Sequence, residues 1–179
     1  EMKKNIIFFM PSFEGGGVEK NIIMTANNFV SKDVNVSLIT ASKKVRKKFN
    51  HKVNFISPKN HYWDKKSRSI KYVICIFFLF LKVFSDRNYY VFCFQGNIIC
   101  TLFCKLFGLK IVIRPNSSPS GWSKNLLKRI LVSKILKLSE KIIVNSIDFK
   151  KELKNHFNLN SKCIYNPLNK SEILSLSKK

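Results

Sequence analysis

Seven short runs of apolar, largely β-branched and aromatic residues recur along this chain, and between most of them the apolar residues change to helical spacing. The runs fall at 5–10, 34–40, 53–56, 90–94, 110–113, 141–145 and 162–165. Most are apolar nearly throughout rather than on alternate positions, the pattern of strands covered on both faces. Helical spacing links Val18, Ile22, Ile23, Ala26 and Val30, covers 70–84, 98–107 and 147–157, and joins Leu127, Ile130, Leu131, Ile135 and Leu138. The order β-α-β-β-α-β-α-β-α-β-α-β predicts an α/β fold, a doubly wound, mainly parallel, Rossmann-like sheet with right-handed crossovers. Ligands of such sheets bind beyond the carboxyl ends of the strands. Function is therefore expected in the loops at 11–17, 40–42, 95–97 and 114–121 and at Ser146.

The chain has 179 residues, a length that suits one compact domain with a real core. Lys and Arg number 33 against 10 Asp and Glu, a net charge of +23. With 45% hydrophobic residues the chain is too apolar for a disordered polycation. Such an excess points to an anionic partner, whether nucleic acid, a phosphorylated substrate or an anionic membrane face. The joint enrichment in Lys, Asn, Ile and Phe is equally the composition that an AT-rich genome produces.

Cys75, Cys93, Cys100, Cys104 and Cys163 are odd in number, lie mostly in apolar runs and lack CxxC spacing. They read as reduced core thiols of a cytosolic protein, and no metal is implied. Met2, Lys3 and Lys4 precede an apolar run too short for a secretory signal. The most hydrophobic window, 70–84, has 15 positions including Lys71 and Lys82, short of a membrane span. A buried helix is the expectation there, although Phe77, Phe78 and Phe80 beside lysines also suit a helix resting in a membrane interface.

Two loops carry candidate chemistry. After the first strand, Glu14 precedes Gly15, Gly16 and Gly17 at the start of a helix, where unpaired amides and the helix dipole can hold a phosphate without side chains. The spacing is neither GxGxxG nor a Walker loop, and a plain flexible turn is the competing reading. After the fifth strand, Arg114 could clamp a phosphate or sit on the surface, and Asn116 could bind a sugar hydroxyl. Trp122 could stack on a sugar or pin the loop. Gln95 ends the fourth strand, and Ser146 could be a ligand group or a helix cap. His51, His61 and His156 avoid the strand ends and are not expected to act as bases.

Basic residues group at Lys43, Lys44, Arg46, Lys47, Lys48 and Lys52, and at Lys65, Lys66, Arg68 and Lys71. Lys124, Lys128, Lys134, Lys137 and Lys141 mark a helix whose opposite face is read as Leu127, Ile130, Leu131, Ile135 and Leu138. This cationic amphipathic helix is either a solvated surface or a seat on anionic lipid.

Four segments together resemble the amino-terminal half of glycosyltransferase family 4, which has the GT-B fold of two facing Rossmann-like domains. Pro11 with Gly16-Gly17-Val18-Glu19-Lys20 is similar to that family's Pro…Gly-Gly-x-Glu-Arg entrance to the first helix, with Lys20 in place of arginine. Ile113-Arg114-Pro115-Asn116 resembles its Arg-x-His or Arg-x-Asn strand end. Lys141 to Ser146 with Phe149 to Leu153, and Ile164-Tyr165-Asn166-Pro167-Leu168, resemble two later family segments. The resemblance implies a Rossmann-like acceptor-binding domain over 1–168, and a linker over 169–179 toward a donor-binding domain further on. It implies a retaining sugar transfer from a nucleotide sugar to a glycan or lipid-linked acceptor in surface polysaccharide or lipopolysaccharide synthesis, with no metal or cofactor and no nucleic acid. By the same likeness Gly15, Gly16 and Gly17 approach the donor phosphates, while Glu14, Gln95, Arg114, Asn116 and Ser146 are acceptor candidates. Asn116 stands where several relatives carry histidine, so no catalytic base is assigned. Lys124, Lys128, Lys134 and Lys137 would hold the protein on the cytoplasmic side of the cell membrane, and the half alone would be inactive.

Two other readings remain at this stage. A basic nucleic-acid-binding module accounts for the charge but leaves the glycine loop idle, and no RNP, KH or helix-turn-helix pattern is present. A non-catalytic phosphate-binding Rossmann domain accounts for the loop alone.

Overall fold

The computed structural model describes residues 5–84, 86–117 and 125–167. Trp122, Lys124 and the segment 169–179 lie outside the described residues. The strands are β1 (Asn5–Phe9), β2 (Asn35–Ile39), β3 (Asn54–Ile56), β4 (Tyr90–Cys93), β5 (Lys110–Ile113), β6 (Lys141–Val144) and β7 (Lys162–Cys163). The helices are α1 (Gly17–Ser31), α2 (Arg68–Phe84), α3 (Asn97–Leu106), α4 (Leu126–Leu136) and α5 (Ile147–Phe157). Two 3-10 turns, Lys43–Lys48 and His61–Lys65, flank β3. Each apolar run became a strand, shorter than read by a residue or two at some ends. The residue past several ends still donates one ladder bond: Met10 N–H to the Ile39 carbonyl (3.1 Å), Phe94 to Phe9 (3.0 Å) and Ile164 to Val144 (2.8 Å).

The strands pair in parallel in the order β3-β2-β1-β4-β5-β6-β7. The chain therefore winds outward from β1 to β3, recrosses the sheet through α2, and winds the other way from β4. Alternate side chains feed two cores, because successive strand residues point to opposite faces. Ile7, Phe9, Val91, Cys93, Ile111 and Ile113 meet Cys75, Leu79, Cys100, Cys104, Leu136 and Leu153 of α2 to α5. On the other face Phe8, Met10, Val36 and Leu38 meet Ile22, Ala26 and Val30 of α1. Four of the cysteines are buried free thiols, and burial pushes the Cys75 and Cys100 thiols well above their ordinary range. Among the described residues no helix is long and apolar enough to cross a membrane, and no cluster of three or more His, Cys, Asp or Glu could hold a metal.

Helix α4 departs from its sequence reading. Leu127, Ile130 and Leu131, expected to form its packed face, are exposed, and the inward positions are Ser133 and Leu136. The helix docks on α5 through polar groups: the Ser133 hydroxyl donates to the Phe157 carbonyl (2.6 Å) and Arg129 to that of His156 (2.6 Å). A side-chain period cannot show that a serine sets the seam. The outer side of α4 thus mixes leucines with Lys128, Lys134 and Lys137, all exposed, instead of separating them onto two faces.

Candidate functional site

The change of winding direction between β1 and β4 opens a crevice at the carboxyl ends of the two strands, because their following loops depart in opposite senses. A polar cavity of about 340 Å³ occupies it, lined by Glu14, Gly15, Glu19, Arg68, Gln95, Asn97 and Asn116 among others. A second, more apolar cavity of about 450 Å³ adjoins it, shares Tyr72, Asn97 and Asn116, and runs on to Ile98, Ile99 and Leu136.

The β1 loop is fixed from below. Buried Ser12 donates its backbone N–H to the side-chain Oε1 of Gln95 (2.9 Å) and its hydroxyl to Glu14 Oε1 (3.0 Å), and its hydroxyl accepts from Lys71 Nζ (3.4 Å). Lys71 is only 5% exposed. The Arg68 guanidinium grips Glu14 with two of its three nitrogens, Nε to Oε1 at 2.8 Å and Nη2 to Oε2. The Arg68 guanidinium, then the Ser12 hydroxyl, hold the Glu14 carboxyl down to about 2, so it is an anion at every physiological pH. It is a hydrogen-bond acceptor for hydroxyl groups rather than a proton-transfer group. Because its folded pKa is depressed, the stability it contributes is present above the ordinary value of 4.5 and is lost as pH falls through about 2. Carboxyl NMR titration is expected to place the Glu14 midpoint near the low value, with Arg68→Gln returning it toward 4.5. A Glu14 midpoint near 4.5 in the unmutated protein would disprove the clamp.

The glycine bend serves two ends. Gly15 and Gly16 have φ of +97° and +131°, conformations that disfavour any residue with a Cβ, and they turn the chain from β1 into α1. The expectation of three bare amides is corrected at one position. The Gly15 N–H donates to Glu19, a buried carboxylate one turn into α1 that occupies part of the anion site. The exposed Gly16 and Gly17 have no partner for their amides among the described residues.

Glu14, Gly15, Gln95 and Asn116 thus share one cavity, with Asn116 Nδ2 anchored on the Phe94 carbonyl. Arg114 does not join them. It is 4% exposed, lies over the Phe94 ring (5.9 Å) and donates to Asn166 Oδ1, which also accepts from Asn21 (2.8 Å). Arg114 ties the end of β5 to α1 and to the segment after β7, and burial lowers its pKa. Ser146 is an N-cap, its hydroxyl accepting from Phe149 N–H (3.1 Å), outside the cavity. Of the basic group at Lys65, Lys66, Arg68 and Lys71, Arg68 lines the cavity, and Lys71 supports it from beneath through Ser12. Neither carried a signal in the sequence: Lys71 shares an i, i+4 row with Cys75, Leu79 and Val83, but α2 has an equally apolar opposite row, so its period does not mark which one is buried, and the partner of Arg68 is 54 residues away.

No protein-family model matches the chain, and no curated protein sequence matches it significantly. Solved structures do match. Anabaena Alr3699/HepE in complex with UDP aligns at TM-score 0.62 and 16% identity over 99% of this chain and 49% of that one. Phytolacca americana UGT2, complexed with UDP-2fluoro-glucose and pterostilbene, aligns at 0.63 and 13% over 100% and 58%. A UDP-glucosyltransferase from Polygonum tinctorium aligns at 0.55 and 14% over 94% and 52%. The fold is therefore a Rossmann-like half of the GT-B glycosyltransferase architecture. The chain spans about half the length of these structures.

Proposed function

We propose that the chain is the acceptor-binding half of a nucleotide-sugar-dependent glycosyltransferase of the family 4 type. The observation that carries this reading is the polar cavity at the β1–β4 crevice of a GT-B half-fold, where Glu14, Gln95, Asn97 and Asn116 gather. Carboxylates and side-chain amides are the groups that hydrogen-bond sugar hydroxyls. Asn97 lines the same cavity, and its Oδ1 is buried with no partner among the described residues. The free amides of Gly16 and Gly17 are suited to stabilise the departing diphosphate as its oxygen's bond to the anomeric carbon breaks and the acceptor oxygen bonds to that carbon, the acceptor proton passing to the departing diphosphate. The motif resemblance supports retention of configuration, a surface-glycan or lipid-linked acceptor and a cytoplasmic site of action.

The test takes the longer protein that contains this chain and assays nucleoside diphosphate release against a panel of nucleotide sugars with oligosaccharide acceptors. Glu14→Ala and Asn116→Ala are expected to lower kcat/KM for the acceptor by roughly tenfold to a hundredfold, the effect of losing hydrogen bonds to a substrate hydroxyl, with donor affinity nearly unchanged. Failure of every nucleotide sugar to yield transfer refutes the proposal.

A further inference from the structure

Helix α2 is apolar all the way round, although only one side of it is covered. Lys71, Cys75, Leu79 and Val83 face the sheet. Diametrically opposite, Ile70, Val73, Phe77, Leu81 and Phe84 form an exposed stripe, with Val73 72% and Phe77 54% exposed. Fourteen residues of rise make the stripe about 21 Å long. Beside its amino end, Trp63 and Phe77 help line an apolar groove of about 540 Å³, and exposed Tyr62 carries the Lys66 ammonium 4.0 Å above its ring. An all-apolar helix at a protein surface needs a partner.

We propose that this face of α2 seats the protein on an anionic lipid bilayer, with Val73, Phe77 and Leu81 dipping into the interface and Tyr62, Trp63, Lys65 and Lys66 at headgroup level. Charge decides among the possible occupants. At +23, a second copy would bring like-charged rims together, whereas an anionic surface attracts them. Exposed Lys128, Lys134 and Lys137 of α4 lie on the same side of the sheet and add to that attraction. An opposing lobe above the strand ends could reach only the start of the stripe, because α2 runs away from the site toward the other end of the sheet. Amphipathic aromatic rings at one end of an apolar strip flanked by lysines are the anatomy of interfacial helices. Apolar insertion, rather than lysine charge alone, is then the main attachment.

The experiment uses the chain with phosphatidylcholine vesicles with and without phosphatidylglycerol, and reads no sugar transfer, so it succeeds or fails independently of the proposed activity. Co-sedimentation with the anionic vesicles is expected, and it should persist in part at high salt because buried apolar groups are unscreened. Phe77→Glu and Val73→Glu are each expected to weaken binding by about tenfold or more, and Lys65→Gln and Lys66→Gln by about fivefold each. In the Trp122→Phe background, which needs no change to the stripe, brominated phosphatidylglycerol should quench Trp63. Equal binding to neutral vesicles, unaltered binding by Phe77→Glu, absence of Trp63 quenching, or a dimer that Phe77→Glu converts to monomer would each overturn the proposal.

Discussion

Phe8→Ala is expected to lower the stability of the chain by about 3–5 kcal/mol, the range for truncating a fully buried phenylalanine. Phe8 is 0% exposed in the central strand, and its ring meets those of Phe29, Phe92 and Phe94 at centroid separations of 5.5–5.8 Å. Because Phe29 lies on α1, Phe92 on β4 and Phe94 just past its end, the cavity would open where helix and sheet are stitched together. At this chain length such a loss shifts the thermal midpoint by on the order of 10 °C. Phe77→Ala is the matched control, expected to change stability by less than about 0.5 kcal/mol, since a half-exposed ring removes little packing. Equal shifts for the two variants in a calorimetric melt would show that the exposed stripe is covered in solution.

Lys71→Met should have opposite effects on stability and function. The ammonium is buried, its hydrogen-bond acceptor among the described residues is the neutral Ser12 hydroxyl at 3.4 Å, and the Glu14 carboxylate attracts it without a hydrogen bond, so its desolvation is only partly compensated. Replacing it by an unbranched apolar side chain of similar volume is expected to leave stability unchanged or raise it by about 1–4 kcal/mol. The same change takes a donor from Ser12, the residue that joins Gln95 and Glu14 into one arrangement, and removes a cation that also holds Glu14 ionised. In the proposed transferase, acceptor kcat/KM should drop roughly tenfold, consistent with a charge-assisted hydrogen bond that positions a binding group. A melt lowered by several degrees with turnover intact would make Lys71 a purely structural residue and leave Arg68 as the group through which α2 meets the site.

Much of the architecture was legible from the residues. Strands buried on both faces must be apolar on successive positions, and helices between them must be apolar every third or fourth, so all seven strands and five helices could be placed before any coordinates. The rule that loops after parallel strands hold ligands singles out Glu14, Gly15, Gln95 and Asn116, and these four line one cavity. That rule says nothing about which of those side chains are consumed by the fold. Arg114 is drawn inward by Asn166 from beyond β7, and Ser146 by the first turn of α5. The Arg114 pairing leaves no trace in local spacing, whereas the Ser146 cap is an i, i+3 contact that the sequence already offered as one of two readings.

The order and type of the elements were determined by sequence alone, since hydrophobic periodicity is a local property that each segment carries with it. Only the tertiary structure decided that the chain reverses its winding between β1 and β4, bringing the first turn of α2 against the β1 loop and making Arg68 and Lys71 partners of Glu14 and Ser12. The same holds for α2 itself. With apolar residues on every side, nothing in its period distinguishes the stripe that meets the sheet from the stripe that meets the surroundings, and the packing of the whole layer chose Leu79 for the core and Phe77 for the outside.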